Sequence, residues 1–69
     1  MNVIINIRLR EVRTEKRLTI MQLAELSGVS KSHISEIENG KQMPSIHILC
    51  LLAVALEIEP EELYTYNII

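Results

Sequence analysis

Gly28 restricts the fold of this chain more than any other residue, because it separates two short stretches whose apolar residues recur at helical spacing. Before it, Leu23 is followed by Ala24, whose small side chain allows a neighbouring helix to approach closely. After it, apolar residues return at Val29, Ile34 and Ile37. Glycine adopts the left-handed conformation of a tight turn more easily than any other residue. The pattern therefore predicts a helix-turn-helix over about residues 20–39.

The predicted helix boundaries rest on capping residues. Thr19 and Gln22 have the spacing of a capping box at the start of the second helix. Ser30 is a suitable N-cap for the third helix, which runs to about Asn39, and Gly40 ends that helix.

The other predicted elements are also helical, and the 69 residues suffice for one domain. With no Trp or Phe, two Gly and two Pro, the composition favours helices around an aliphatic core. The remaining elements are a first helix from about Asn6 to Arg17, a fourth from Pro44–Ser45 to Leu56, a short fifth after Pro60, and a tail over 64–69. We expect a compact all-α, five-helix bundle formed by residues 1–69 as a single domain.

Several classes of protein are not expected. The single cysteine, Cys50, cannot form an internal disulfide, and the longest apolar run, 48–56, is too short to span a bilayer. We therefore expect a cytoplasmic protein that does not interact with membranes. His47 and Cys50 supply only two of the roughly four ligands of a metal site. The sequence shows no acid–base pair, activated nucleophile or cofactor loop, so we expect no enzyme, cofactor or small-molecule ligand.

Charge is distributed unevenly along the chain. Residues 1–41 hold all seven basic residues and five acidic ones, a net charge of +2. Residues 42–69 hold four glutamates and no basic residue, a net charge of -4. A mildly basic first part and an acidic second part make nucleic-acid binding a question of local surface and not of total charge.

The third predicted helix has one polar side. Positions at i, i+1, i+4, i+5 and i+8 share a helix face, and here they are Lys31, Ser32, Ser35, Glu36 and Asn39. Lysine donates to guanine O6 and N7, serine donates or accepts, and glutamate accepts from cytosine N4. This face could read DNA bases, or it could be the solvated side of an ordinary helical bundle.

The chain contains four motifs in this order: "LTIMQLAELSGVSKSHISEIENGK", Pro44, "LLAVALEI" and "EEL". In these motifs it resembles the helix-turn-helix domains of phage Cro and C1 repressors and their Xre-like bacterial relatives. The resemblance covers about Ile7 to Leu63. It implies the lambda-repressor-like fold, with the third helix in the major groove of double-stranded DNA. It also implies a homodimer on a palindromic operator.

The resemblance implies roles for individual residues. Lys31, Ser32 and Glu36 match positions that face base edges, with Ser35 beside them. Positions that contact phosphates are matched by Ser30, Asn39 and Lys41. Arg13 and Glu38 match a partly buried ion pair between the first and third helices.

Two positions depart from the family pattern. Ile20 stands where many members have a glutamine that contacts a phosphate, so that contact is in doubt. Arg17 replaces a common glycine at the end of the first helix, which suggests another phosphate contact.

An apolar stripe on the fourth helix is a second candidate surface. Leu51 and Val54 occupy positions that are usually polar in the family, and with Ile58 they predict a dimer interface. We expect this interface to be built from the fourth helix and the tail, where Ile68 and Ile69 could join it. Alternatively, a tail residue such as Tyr66 or Ile69 covers this stripe within one chain.

Two functions remain open. The first is a repressor-like, sequence-specific regulator of transcription that reads DNA as a homodimer. The second is a protein-binding adaptor or antirepressor-like module that keeps the fold and uses the apolar stripe. A steep salt dependence of DNA binding would favour the first.

Overall fold

The computed structural model describes all 69 residues as four short α-helices, one 3₁₀ turn and a two-stranded antiparallel sheet. The elements in chain order are β1 (Val3–Ile7), α1 (Leu9–Glu15), α2 (Ile20–Ser27), α3 (Lys31–Glu38), α4 (Ile46–Leu56), the 3₁₀ turn Pro60–Leu63 and β2 (Tyr64–Ile68). No helix has the length and apolar content needed to cross a bilayer.

The predicted capping interactions at α2 and α3 are confirmed. The Gln22 backbone N–H donates to Thr19 Oγ1 at 3.0 Å, and the Thr19 N–H donates to Gln22 Oε1 at 2.8 Å. Gly28 ends α2 with φ of 78°, in the left-handed region. The His33 N–H donates to Ser30 Oγ at 3.1 Å, so Ser30 caps α3. These bonds satisfy helix-end groups that would otherwise lack partners.

The prediction of an all-α, five-helix bundle was wrong at both ends of the chain. The first helix begins at Leu9 instead of Asn6, and residues 3–7 form a strand that pairs with the tail. The segment after Pro60 is a four-residue 3₁₀ turn and not an α-helix. β-branched and aromatic residues favour strands, but 56 residues lie between the end of β1 at Ile7 and the start of β2 at Tyr64. Local periodicity cannot show such a pairing.

A small aliphatic core holds the helices together. It consists of Leu9, Val12, Leu23, Val29, Ile34, Ile37, Leu49, Leu52, Ala53, Leu56 and Leu63. Every helix contributes to it, and α4 contributes four of the eleven residues, so α4 is the central helix. The core therefore fixes the position of α3 through Ile34 and Ile37 and leaves the other side of α3 free.

Two residues other than glycine adopt a left-handed backbone conformation. Arg17, after α1, and Glu57, at the end of α4, both have φ of 59°. This conformation costs a residue with a Cβ atom roughly 1–2 kcal/mol. We expect Glu57→Gly to raise the free energy of unfolding by about 0.5–1 kcal/mol, because glycine removes that cost but makes the unfolded chain more flexible.

Urea unfolding followed by circular dichroism measures this effect. Glu25→Gly is the control, since Glu25 is an exposed residue inside α2. Glycine there should lower the free energy of unfolding by about 1 kcal/mol. A loss of stability in both variants would contradict the account of Glu57.

Candidate nucleic-acid interface

α3 presents one polar side to solvent. Ile34 and Ile37 are buried on its inner side, whereas Lys31, Ser32 and Glu36 are exposed and Ser35 is half-buried. At about 100° per residue, Lys31 to Glu36 span an arc of about 140° that excludes both isoleucines. The structure therefore brings the four residues predicted to contact bases together on one side of the helix.

The residues predicted to contact phosphates lie at the two ends of α3. Ser30 is exposed, and its hydroxyl still has a proton to donate after it accepts from the His33 N–H. Asn39 and Lys41 are exposed at the opposite end. Both ends of the exposed side of α3 thus carry groups that can donate to phosphate oxygens.

A buried carboxylate fixes the C-terminal end of α3. The Glu38 side chain is 0% exposed, and that of Arg13 is 12% exposed. Arg13 Nε donates to Glu38 Oε2 at 2.7 Å, and Nη2 donates to Oε1 at 3.0 Å. Hydrogen bonding to this carboxylate raises the pKa of Arg13 above its ordinary value. The structure thus joins the two residues predicted to form an ion pair, and this pair connects α1 to α3.

Arg13 also holds the segment that joins α1 to α2. Its Nη1 donates to the Leu18 carbonyl oxygen at 2.7 Å. One guanidinium group of α1 therefore binds both α3 and the segment between α1 and α2. The orientation of α3 relative to the rest of the domain depends on this group.

Arg10 is a residue of the site that the sequence analysis missed. Its Nε donates to Glu38 Oε1 at 3.3 Å, and its Nη2 donates to Asn39 Oδ1 at 2.8 Å. The Asn39 amide in turn donates to Ser35 Oγ at 3.3 Å. Arg10 therefore orients Asn39, one of the predicted phosphate contacts. The spacing from Arg10 to Arg13, which puts both on one side of α1, was the available signal.

The remaining basic residues fall into two groups. Arg8 forms an ion pair with Glu11 at 2.6 Å, and this hydrogen bond lowers the pKa of the Glu11 carboxyl below its ordinary value. Lys16, Arg17, Lys31 and Lys41 form no ion pair within the chain. Lys16 lines depressions that also contain Glu62 and Glu57. Arg17, Lys31 and Lys41 are therefore the cations available for phosphates or bases, whereas the α1 arginines are engaged internally.

Of the three residues predicted to form the apolar stripe at α4, only one is exposed. Val54 is 77% exposed, whereas Leu51 and Ile58 are half-buried against the core. With Leu26 of α2, Leu51 and Val54 line a shallow groove. The tail pairs with β1 and does not cover Val54. The stripe therefore remains an accessible apolar surface centred on Val54.

A protein-family profile described as Helix-turn-helix matches residues 9–63. The chain belongs to this Cro/C1-type helix-turn-helix family. The match includes all four helices and the 3₁₀ turn, and it leaves out both strands.

Individual members of the helix-turn-helix family are similar to this chain. It is 49% identical over 57 residues to the HTH-type transcriptional repressor RghR of Bacillus subtilis, covering 81% of this chain and 42% of that protein. It is 38% identical over 52 residues to the immunity repressor protein of Bacillus phage phi105, covering 75% of this chain and 36% of that protein. The chain thus spans about two fifths of the length of the curated relatives it matches.

A solved structure of a helix-turn-helix protein has the same fold. The restriction-modification controller protein C.AhdI from Aeromonas hydrophila superposes with a TM-score of 0.77 at 45% sequence identity. The superposition covers 80% of this chain and 83% of that one. The helical arrangement around α2 and α3 is therefore shared with a protein of similar size.

One departure from the family pattern has a structural explanation. Ile20, which stands in place of a frequent glutamine, is half-buried and packs against the core. An apolar side chain in this position contributes to packing but cannot donate to a phosphate. We therefore assign Ile20 no role in the interface.

Proposed function

We propose that this protein is a sequence-specific, repressor-like regulator of transcription that reads the major groove of double-stranded DNA with α3. The observation that carries this proposal is the exposed polar side of α3 on a helix whose orientation is fixed by the buried Glu38 carboxylate. A base-reading helix must be held rigidly, since hydrogen bonds to base edges depend on position and direction.

The placement of these residues on α3 and at its two ends supports a division of labour. Lys31, Ser32, Ser35 and Glu36 contact base edges, and Ser30, Asn39, Lys41 and Arg17 contact phosphates. Phosphate contacts position the protein and base contacts provide specificity. The names of the relatives, a transcriptional repressor and a phage immunity repressor, support a repressor-like role.

The acidic second part of the chain does not oppose this proposal. Its glutamates lie after α4, at Glu57, Glu59, Glu61 and Glu62, whereas the cations proposed to contact DNA belong to residues 17–41. Arg17 and Lys41, the two cations assigned to phosphates, would neutralise about four phosphates for a dimer. DNA affinity should then fall roughly a hundred-fold between 50 and 200 mM salt.

Selection from a random pool of duplex DNA, at both salt concentrations, tests the proposal. We expect an inverted repeat whose half-sites are about one helical turn apart, which is the spacing for two protomers on one face of DNA. If neither salt concentration yields a motif, the proposal fails, and a protein-binding adaptor that keeps the fold becomes the better account.

The proposed regulator acts as a homodimer, and the stripe of Leu51, Val54 and Ile58 is one candidate contact between the protomers. Val54→Lys should weaken this contact, because lysine does not tolerate burial without a partner. Sedimentation should then show a larger monomer fraction than in the unchanged protein. Met21→Lys is the control, since Met21 is exposed and apolar but lies on α2. An unchanged dimer in the Val54 variant would exclude this surface.

A further inference from the structure

The two strands form a ribbon that the family match does not include. β1 and β2 lie outside residues 9–63, so the shared helix-turn-helix domain does not explain them. The strands pair in register from Val3 opposite Ile68 to Ile7 opposite Tyr64. What stabilises the ribbon and what its faces contact must therefore be sought in the residues of the two strands.

The ribbon has one apolar face and one more polar face. Residues directly opposite each other in an antiparallel pair point to the same face, and successive residues alternate between faces. One face consists of Val3, Ile5, Ile7, Tyr64, Tyr66 and Ile68. The other face carries Ile4, Asn6, Thr65 and Asn67. Such alternation is typical of a sheet that packs on something through its apolar face.

Only the end of this apolar face nearest the helices is covered within the chain. Ile7 and Tyr64, at that end, are half-buried against the core. The next two pairs, Ile5–Tyr66 and Val3–Ile68, are exposed. The apolar face forms one wall of a groove whose opposite wall contains Met43, Pro44 and Ile46, at the start of α4. Met43 and Ile46 are exposed as well. The groove is thus an open apolar surface on both sides.

The ribbon lacks the usual protection of an exposed sheet. Residues 2–7 and 64–69 contain no charged side chain and no proline, which are the common means by which edge strands are kept from pairing with other chains. A two-stranded ribbon is marginally stable alone in water. Burial of its apolar face against another surface would stabilise it.

We propose that the occupant of this groove is the ribbon of a second copy of this chain, packed apolar face to apolar face. This inference rests on the proposed homodimer and assigns it a contact surface. An uncharged apolar face is complementary to itself, as a contact across a twofold axis requires, and it carries no charge that would select a different partner. Face-to-face packing removes the exposed Val3, Ile5, Tyr66 and Ile68 from water, whereas edge-to-edge pairing would leave them exposed.

The size of the face limits the strength of this dimer. Five residues at about 3.3 Å and two strands about 4.8 Å apart make a face of roughly 17 by 10 Å. A standard stable interface buries about 800 Å² on each partner, so the ribbon needs the groove wall of Met43 and Ile46 as well. The resulting dimer is weak in the absence of DNA and is completed on an operator.

The position of the ribbon connects it with DNA reading. Ile5, Asn6 and Ile7 line a second depression together with Ile37, Glu38 and Gly40, at the end of α3. Docking of two ribbons would therefore set the distance between the two α3 helices. The spacing of the half-sites in an operator depends on that distance.

Ile5→Lys and Ile4→Lys provide a matched pair of variants. The two side chains are neighbours in β1 with similar exposure, 44% and 48%, but they lie on opposite faces of the ribbon. We expect Ile5→Lys to raise the dimer dissociation constant at least about thirty-fold, because two lysines would meet without partners in an apolar contact. Ile4→Lys should leave it within about two-fold.

Sedimentation equilibrium of the complete chain over a concentration series measures this constant, with 7.9 kDa for the monomer and twice that for the dimer. Tyr66→Lys, opposite Ile5 on the same face, is the second variant and should behave like Ile5→Lys. Circular dichroism identifies any variant that has unfolded.

The proposal is overturned if folded Ile5→Lys and Tyr66→Lys variants dimerise like the unchanged chain, if Ile4→Lys dissociates equally, or if the unchanged chain stays monomeric throughout. Failure here is distinguishable from failure of the proposed function. A selected inverted repeat together with a dimer that depends on Val54 and not on Ile5 or Tyr66 would retain the regulator and exclude the ribbon.

Discussion

Glu38→Ala should remove most of the stability of this domain. The substitution leaves Arg13 as a largely buried cation without its carboxylate, and breaking a buried ion pair costs about 3–5 kcal/mol. Domains have stabilities of about 0.05–0.15 kcal/mol per residue, which is roughly 3–10 kcal/mol for 69 residues. We therefore expect the urea midpoint to fall sharply or the chain to be unfolded at 25 °C.

The neighbouring Glu36→Ala variant is the matched control. Glu36 is on the same helix, is exposed, and forms no ion pair, so its loss should change the free energy of unfolding by less than about 0.5 kcal/mol. Both variants are compared by urea unfolding monitored at the helical signal. A loss below about 1 kcal/mol for Glu38→Ala would show that Arg13 finds water or another partner.

A double variant separates loss of contact from burial of an unpaired charge. Replacing Arg13 with Met and Glu38 with Leu removes both charges and retains apolar volume, and such replacements of buried pairs are often neutral or stabilising. We expect this protein to be markedly more stable than Glu38→Ala. Its DNA affinity should still decrease, because Arg10 would lose Glu38, one of its two partners, and would orient Asn39 less firmly.

Lys31→Ala should reduce specific DNA binding by about 1–3 kcal/mol per half-site and relax the preference at one base position. Lys31 is the only cation on the exposed side of α3 and has no partner within the chain. Fluorescence anisotropy with the selected operator, and with operators changed at single positions, measures both effects. The loss should be small on unrelated DNA, to which Lys31 would contribute only as one charge.

Lys16→Ala is the control for this experiment. Lys16 is also exposed and unpaired, but it lines depressions with Ile58 and Glu62 on one side and Glu57 on the other. It should therefore leave operator affinity within about two-fold. A uniform loss on all DNA sequences in the Lys31 variant would assign Lys31 to a phosphate instead of a base.

The sequence was sufficient for α2, α3 and the start of α4, since each has its own capping residue and these interactions are local. Thr19 and Ser30 form the N-cap interactions that their positions predict, and Ser45, at the expected start of the fourth helix, is also an N-cap. It was insufficient for residues 3–7, where the apolar run before Arg8 gave no sign of its distant partner strand. The tail over 64–69 was left open for the same reason.

The site divides in the same way. The exposed side of α3 follows from helical periodicity alone, because Ile34 and Ile37 determine which side faces the core. The role of Arg10 does not, since its partners Glu38 and Asn39 are 28 and 29 residues away. Among several arginines and glutamates on neighbouring helices, sequence spacing does not decide which pairs meet.

The sequence by itself determined the four α-helices near their observed positions, the turn at Gly28 and the polar composition of α3, because propensity, capping and periodicity act within a few residues. Only the tertiary structure decided that the two ends of the chain pair as a ribbon, that Arg10 orients Asn39, and that Val54 is exposed while Leu51 and Ile58 are not. Each of these depends on contacts between residues far apart in the sequence, whose formation requires that the whole core has assembled.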